Sequence, residues 1–295
     1  MKLLNDYLRE TFGCKVYKNA LNAGFTCPNR DGTLGTGGCI FCSAGGSGEF
    51  AEDAAHSITE QIEAGKARVA RKIKDGKYIA YFQAYTNTYA PAEHLRTLYM
   101  EAVQHPDIVT VSIATRPDCL PEDVLDLLEE LNRIKPVWVE LGLQTIHPKT
   151  AAYIRRGYEL TVYDRAVREL RSRGIEVITH VILGLPGESV PEMLETVRYV
   201  CDGGATGIKL QLLHVLKGTD LEKEYREGKV QVLSEDEYLD IMEQCLRVIP
   251  EHVVIHRLTG DGDKRLLVAP QWSGDKKHVW NRIQKLIKSL ETDDA

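Results

Sequence analysis

The sequence predicts an α/β fold: a parallel sheet curled into a partial TIM-like (β/α)6 barrel, open on one side and wrapped by outer helices. Three observations predict it. Short apolar runs rich in β-branched residues recur along the chain, stretches with a helical period separate them, and the units are too few to close an eight-fold barrel. The strand segments are residues 78–84, 109–114, 137–143, 176–183, 207–214 and 253–257, with a first strand expected near residues 20–25. Val124, Leu127, Leu128 and Leu131 make one helical stripe; Met193, Leu194, Val197, Val200 and Cys201 make a second; Tyr238, Ile241, Met242, Cys245 and Ile249 make a third. A helix is expected over residues 58–73, and a basic amphipathic one over 276–290. Such βα repeats connect by right-handed crossovers and bind ligands at the carboxyl ends of the strands.

The chain has 295 residues, 43% hydrophobic and 27% charged, enough for one large domain with a sizeable core. No apolar run is long enough to cross a membrane, and the N-terminus turns polar too soon for a secretory signal. A cytoplasmic location with no membrane partner is therefore expected. A net charge of −6 excludes a uniformly basic, nucleic-acid-coating surface but not a local basic patch. Seven cysteines are an odd number and too sparse for a disulfide scaffold, so those close together read as metal ligands or redox groups.

Three of them, Cys27, Cys39 and Cys42, fall in one glycine-rich loop after the first strand, spaced C-x11-C-x2-C. Three thiolates around a four-iron cubane leave one iron open to a small molecule, whereas an electron-transfer cluster is normally closed by a fourth cysteine. Zinc remains an alternative on the cysteines alone, although a structural zinc site needs a fourth ligand and no second C-x-x-C follows. Phe41, between the last two cysteines, would shield a cluster from water.

This loop, at the start of a βα partial barrel, resembles that of the radical S-adenosylmethionine (SAM) superfamily. Further segments agree in order: Ala114-Thr115-Arg116-Pro117-Asp118, Glu140-Leu141-Gly142-Leu143-Gln144, Tyr153-Ile154-Arg155-Arg156-Gly157-Tyr158 and Gly184-Leu185-Pro186-Gly187-Glu188. They are similar to the branch that contains the Elongator catalytic subunit and oxygen-independent coproporphyrinogen oxidase. Residues 26–42, the run Tyr81-Phe82-Gln83-Ala84-Tyr85-Thr86-Asn87-Thr88-Tyr89, and His256-Arg257-Leu258-Thr259-Gly260-Asp261-Gly262 most resemble the small MnmL (YtqA/YhcC) tRNA-modification family. The resemblance covers essentially the whole chain. It implies a core over residues 1–262, with the cluster loop at 26–42, and a C-terminal extension over 263–295 that ends in the basic helix.

The resemblance implies a [4Fe–4S] cluster held by Cys27, Cys39 and Cys42, and S-adenosyl-L-methionine bound at its open iron. Reduction by one electron, from a donor such as flavodoxin or ferredoxin, would cleave SAM to a 5′-deoxyadenosyl radical. The Gly-Gly-Glu-like motif of most members is replaced here by Gln83, Tyr85, Thr86 and Asn87, polar groups that suit an ammonium. Thr115 and Gln144 at strand ends, Arg156 toward the SAM carboxylate, His180 toward its ribose and Leu185 against adenine complete the implied cofactor set, with Arg155 the competitor of Arg156.

Arg116, Asp118, Lys209, Lys217, Arg257 and Asp261 are the charged groups expected to contact SAM or substrate. Lys209 interrupts an apolar run, where an unpaired charge is costly, so an anion, a carboxylate side chain included, is expected beside it. Lys72 and Lys74 belong to a basic stretch from Lys66 to Lys77. That stretch and the C-terminal helix are solvated faces by default and the natural phosphate contacts on an acidic protein. The substrate implied by the resemblance is the tRNA wobble uridine, with conversion of a 5-carboxymethylaminomethyl to a 5-aminomethyl group. The alternatives are small-molecule chemistry, as in the porphyrinogen relatives, or a non-catalytic iron–sulfur or RNA-binding protein.

Overall fold

The computed structural model describes residues 1–71, 76–260 and 262–293. Its strands are β1 (Lys2–Leu3), β2 (Val16–Leu21), β3 (Lys77–Phe82), β4 (Ile108–Thr115), β5 (Val137–Gln144), β6 (Glu176–Leu183), β7 (Gly207–Leu212), β8 (Val215–Leu216), β9 (Val254–Arg257) and β10 (Leu267–Ala269). Eight form one sheet in the order β1-β9-β7-β6-β5-β4-β3-β2, every pairing in it parallel, while β8 and β10 make a small antiparallel pair. From β2 to β9 each strand of this sheet lies beside the next, the winding of a barrel that does not close.

The helices are α1 (Leu4–Phe12), α2 (Ile58–Val69), α3 (Ala92–Gln104), α4 (Glu122–Ile134), α5 (Pro148–Tyr153), α6 (Leu160–Ser172), α7 (Val190–Asp202), α8 (Asp220–Arg226), α9 (Glu235–Val248) and α10 (Lys276–Asp293). Capping boxes start three of them: Ser57 with Glu60, Ser189 with Glu192 and Ser234 with Glu237. The expected stripes on α4, α7 and α9 are buried, except that Ile249 falls just past the end of α9 and is partly exposed. Each fully buried Leu or Ile on them contributes roughly 1.5–3 kcal/mol of hydrophobic stabilisation.

The sheet curls, and side chains that span its interior show it. Lys18 on β2 reaches Glu140 on β5 at 3.1 Å, and Lys209 on β7 meets the same carboxylate. Below this layer α1 plugs the N-terminal mouth: Leu8 packs with Val16, Ile79, Trp138 and Ile178, and the rings of Tyr7 and Trp138 lie 6.0 Å apart. The plug leaves the carboxyl ends of the strands as the open end.

Two expectations shift. The first strand is Val16–Leu21 rather than residues 20–25; the chain turns after it because Asn22 Oδ1 accepts from the amide of Gly24, whose φ is 75°. The helix expected over 58–73 is α2, which ends at Val69; Lys72 to Asp75 lie outside the described residues.

Candidate active site

The cysteine loop is an irregular segment held by its own backbone. Arg30 and Asp31 amides return to the Cys27 carbonyl at 2.8 and 3.2 Å, and the Cys42 amide returns to Cys39 at 3.0 Å. Arg30 donates to the carbonyls of Cys42 (3.0 Å) and Ser43 (2.6 Å), drawing the two ends together. Gly38 sits at φ 72°, where a Cβ would meet the Arg30 guanidinium at 3.0 Å, so the closure needs glycine there. Asn29 joins the loop to the turn after α5, donating to the Arg155 carbonyl at 2.7 Å and contacting Cys39 Sγ at 3.5 Å.

Cys27, Cys39 and Cys42 all face one cavity of about 240 Å³ at the carboxyl ends of the strands. Burial pushes the Cys39 thiol up to about 11, and the nearby Cys42 adds to the rise; burial also raises Cys42. Three soft sulfur donors held together, with Cys39 and Cys42 costly to ionise until a cation balances them, suit an iron–sulfur cluster with one iron left open.

The rest of the wall mixes apolar side chains, among them Ile154, Ile182, Leu212 and Leu213, with polar ones. Gln83, Tyr85, Thr86, Thr115, Arg116, Gln144, Arg156, His180 and Arg257 line the cavity, as does Phe41. Gln144 is unusual twice over: its φ is 71°, and its side-chain Oε1 is buried without a hydrogen-bond partner. Ser47, Tyr85 and Arg155 are the other non-glycine residues in the left-handed region; Ser47 and Tyr85 line the cavity, and the Arg155 carbonyl lies 3.7 Å from Cys39 Sγ. Strained backbone gathered at one place, with a buried acceptor aimed into it, is the mark of a site built for a polar ligand.

Beneath the cavity lies an ionic layer centred on Glu140, which is fully buried. It accepts from Lys18, from Ser112 Oγ at 2.7 Å, from Lys209 and from His180 Nε2 at 2.7 Å. Burial alone would raise this carboxyl, but Lys18 and Lys209, then His180, hold it well below the usual range. Burial and the neighbouring Lys209 push His180 down to about 4, so near neutral pH its Nε2–H donates to Glu140 and its Nδ1 is left as an acceptor. Lys209 also donates to Tyr81 Oη at 3.2 Å. The anion expected beside Lys209 is thus a carboxylate of the protein. Glu140 interrupts an apolar strand as Lys209 does, and the same cost argument applied to it would have found it.

The remaining expected residues divide. Arg116 makes a two-pronged pair with Asp118 (2.9 and 2.7 Å), and that carboxylate outweighs the burial that would lower its guanidinium. Arg156 is buried and donates to the carbonyls of Thr145 (2.6 Å) and Tyr158 (2.9 and 3.1 Å), whereas the half-exposed Arg155 pairs with Asp220. Asn87 does not reach the cavity: it is fully buried and its amide ties the carbonyls of Phe82 (3.1 Å) and Ala114 (2.8 Å). Leu185 is buried in a small cluster with Ile40, Ile154 and Ile182 rather than on the cavity wall, and Lys217 is exposed away from it. Asp261, Lys72 and Lys74 lie outside the described residues. Around Lys72 and Lys74, Lys66 and Lys77 are tied to Asp107, and Arg68 to Glu52.

Comparison with known proteins gives the family of the chain. Residues 27–200 match the Radical SAM superfamily, and residues 205–289 match the Radical_SAM C-terminal domain. YtqA of Bacillus subtilis is 49% identical over 286 residues, covering 97% of this chain and 89% of that protein. A tRNA uridine(34) acetyltransferase of Methanocaldococcus jannaschii is 26% identical over 156 residues, covering 52% of this chain and 28% of that protein. Among solved structures, Methanocaldococcus infernus Elp3 with an N-terminal deletion shares the fold at TM-score 0.68 and 18% identity, over 92% of this chain but 63% of that one. The chain belongs to the radical SAM superfamily of enzymes.

Proposed function

We propose that this enzyme modifies the wobble uridine of tRNA, converting its 5-carboxymethylaminomethyl group to 5-aminomethyl. The observation that carries the radical SAM part is the convergence of three thiols on a cavity that holds an unpartnered buried acceptor. The RNA target is supported by likeness, over half of the chain, to a protein named for acting on tRNA uridine 34.

Cys27, Cys39 and Cys42 would hold the [4Fe–4S] cluster, with Phe41 against it. Bound together, the cluster and S-adenosylmethionine supply one-electron reductive cleavage and a hydrogen-abstracting carbon radical. Gln83, Thr86 and Gln144 offer acceptors for an ammonium, and neutral His180 offers Nδ1 to a hydroxyl. Arg116, with Arg156 behind it on the Tyr158 ring (5.3 and 4.5 Å to the ring centroid), supplies positive charge for a carboxylate. Arg257 on the opposite strands suits an anionic substituent such as the carboxymethyl group. The α1 plug and the ionic layer close the floor, which limits the access of water from that end.

Flavodoxin or ferredoxin is the expected electron donor. No described helix is long and apolar enough to cross a membrane, in keeping with a cytoplasmic enzyme on tRNA. The test is nucleoside mass spectrometry of tRNA from a deletion strain. The carboxymethylaminomethyl nucleoside should accumulate and the aminomethyl one disappear; an unchanged profile overturns this substrate.

A further inference from the structure

Two of the exposed large apolar side chains are aromatic, Phe50 and Trp280, each 39% exposed. They come from distant parts of the sequence and share Lys276 as a neighbour, Phe50 through its ring and Trp280 along α10. Lys276 Nζ lies 4.9 Å from the Phe50 ring centroid, and Trp280 follows Lys276 by one turn on α10. Lys276 and Trp280 also line a cleft of about 220 Å³ with Tyr238, Thr259 and Trp272. That cleft shares Leu212 and Gly260 with the thiol-lined cavity, and Phe50 follows directly on Ser47 and Glu49, which line the cavity. An aromatic and cationic patch therefore adjoins the site.

We propose that Trp280 and Phe50 form a stacking site for an unpaired nucleobase next to the one that enters the cavity, with Lys276 and the exposed Lys277 beside its phosphate. The proposal rests on the RNA reading above and names where on the protein the RNA loop is gripped. Single-stranded nucleic acid is recognised by aromatic faces set among cations, because every base offers a π-face and every nucleotide a charge. Burial in a lipid surface does not explain Trp280. The apolar stripe of α10, Val279, Ile283, Ile287 and Leu290, is already buried in the main core, where α10 lies against α9.

The test uses the full cluster-loaded chain and two RNA probes: an anticodon stem–loop and the same stem closed into a duplex. Dissociation constants are measured across a salt series for wild type, Trp280→Ala, Trp280→Phe, Phe50→Ala and Lys277→Ala. Iron content and thermal midpoint serve as checks of folding. Trp280→Ala should weaken stem–loop binding about 10- to 100-fold with an unchanged salt slope, while Trp280→Phe keeps most of the affinity. Lys277→Ala should lower the salt slope by about 1. Stem–loop affinity that is the same in wild type, Trp280→Ala and Phe50→Ala overturns the stacking site and leaves the tRNA reading standing. Equal weakening toward stem–loop and duplex overturns it too, since a duplex offers no free base. A Trp280-dependent change of oligomeric mass without RNA assigns the patch to self-association instead and overturns it. Wild type that binds neither RNA overturns the tRNA reading itself.

Discussion

At the floor of the half-barrel, Glu140 is met by Lys18, Lys209, Ser112 and His180, and each charge has an answering group within the protein. At the rim, a few residues further along the same strands, Gln144 keeps a buried oxygen without a partner, and Cys39 and Cys42 are thiols that burial makes hard to ionise. Around Glu140 the floor is a finished network, with one buried nitrogen beside it, His256 Nδ1, left without a partner, while the rim is finished only by a ligand. Buried polarity thus has two meanings in one barrel: Glu140 has its partners within the protein, whereas Gln144 combines an unpartnered oxygen with a place on the cavity wall. A saturated network holds the sheet in its curl, whereas an unsaturated one marks where something binds.

The sharpest way to break this contrast is to remove a thiol. The anaerobically reconstituted chain should carry about four irons, the content of one cubane. Cys27→Ala, Cys39→Ala or Cys42→Ala should abolish the iron and the brown colour, leaving the melting behaviour of the metal-free chain nearly unchanged. Stoichiometric zinc in the wild type, with no visible absorption, would return the rim to a closed structural site.

The floor should respond the other way. Glu140→Ala leaves the buried Lys209, and the partly exposed Lys18 beside it, without their counter-charge and should cost about 3–5 kcal/mol of stability, read by denaturant unfolding of the metal-free chain. Iron binding by the fraction that folds should persist. Loss of iron at full stability would mean that Glu140 belongs to the rim.

Much of the frame was legible because its signals are local. The runs that became β4 to β7 are apolar and β-branched, and the three thiols of the site lie within one loop. What escaped was set by tertiary pairing. The first strand starts earlier than its apolar run suggests because Lys18 and Asn19 break that run; they point to opposite faces, Lys18 into the barrel to Glu140 and Asn19 to the Ile62 carbonyl of α2 at 3.0 Å. Strands β1, β8 and β10 have two or three residues and no readable period. The plug α1 did carry a signal, with Leu4, Tyr7, Leu8 and Phe12 at helical spacing. Asn87 and Leu185 are motif residues whose side chains turned to backbone carbonyls and to packing, a choice that spacing alone does not encode.

The floor also predicts a pH dependence. His180 is held at about 4, below the ordinary 6.5, first by burial and then by Lys209. Between those values the unfolded chain binds more protons than the folded one, so stability rises with pH across the window. The contribution is complete above about pH 6.5, falls away as pH drops toward 4, and amounts to at most about 3 kcal/mol. His180→Gln should flatten that part of the stability profile. A slope that is the same in wild type and variant would mean that His180 is protonated in the fold and that the floor is not saturated as described.

The smallest effect comes from cysteines that are not at the rim. Cys201 on α7 and Cys245 on α9 are buried on apolar stripes, and α7 packs against α9. Burial pushes both thiols up to about 12, so they stay neutral and act as small hydrophobic groups. Replacing either with Ala removes one sulfur from a packed interior and should cost about 1 kcal/mol, within the range of ordinary core substitutions. Iron should stay at about four per chain in both variants and in the double variant, since a single cubane needs only the rim thiols. The two costs need not add, because the side chains lie on packed helices and one vacancy relaxes the other. Iron that fell with Cys245→Ala would place a metal ligand in the core and erase the distinction between thiols that pack and thiols that await a ligand.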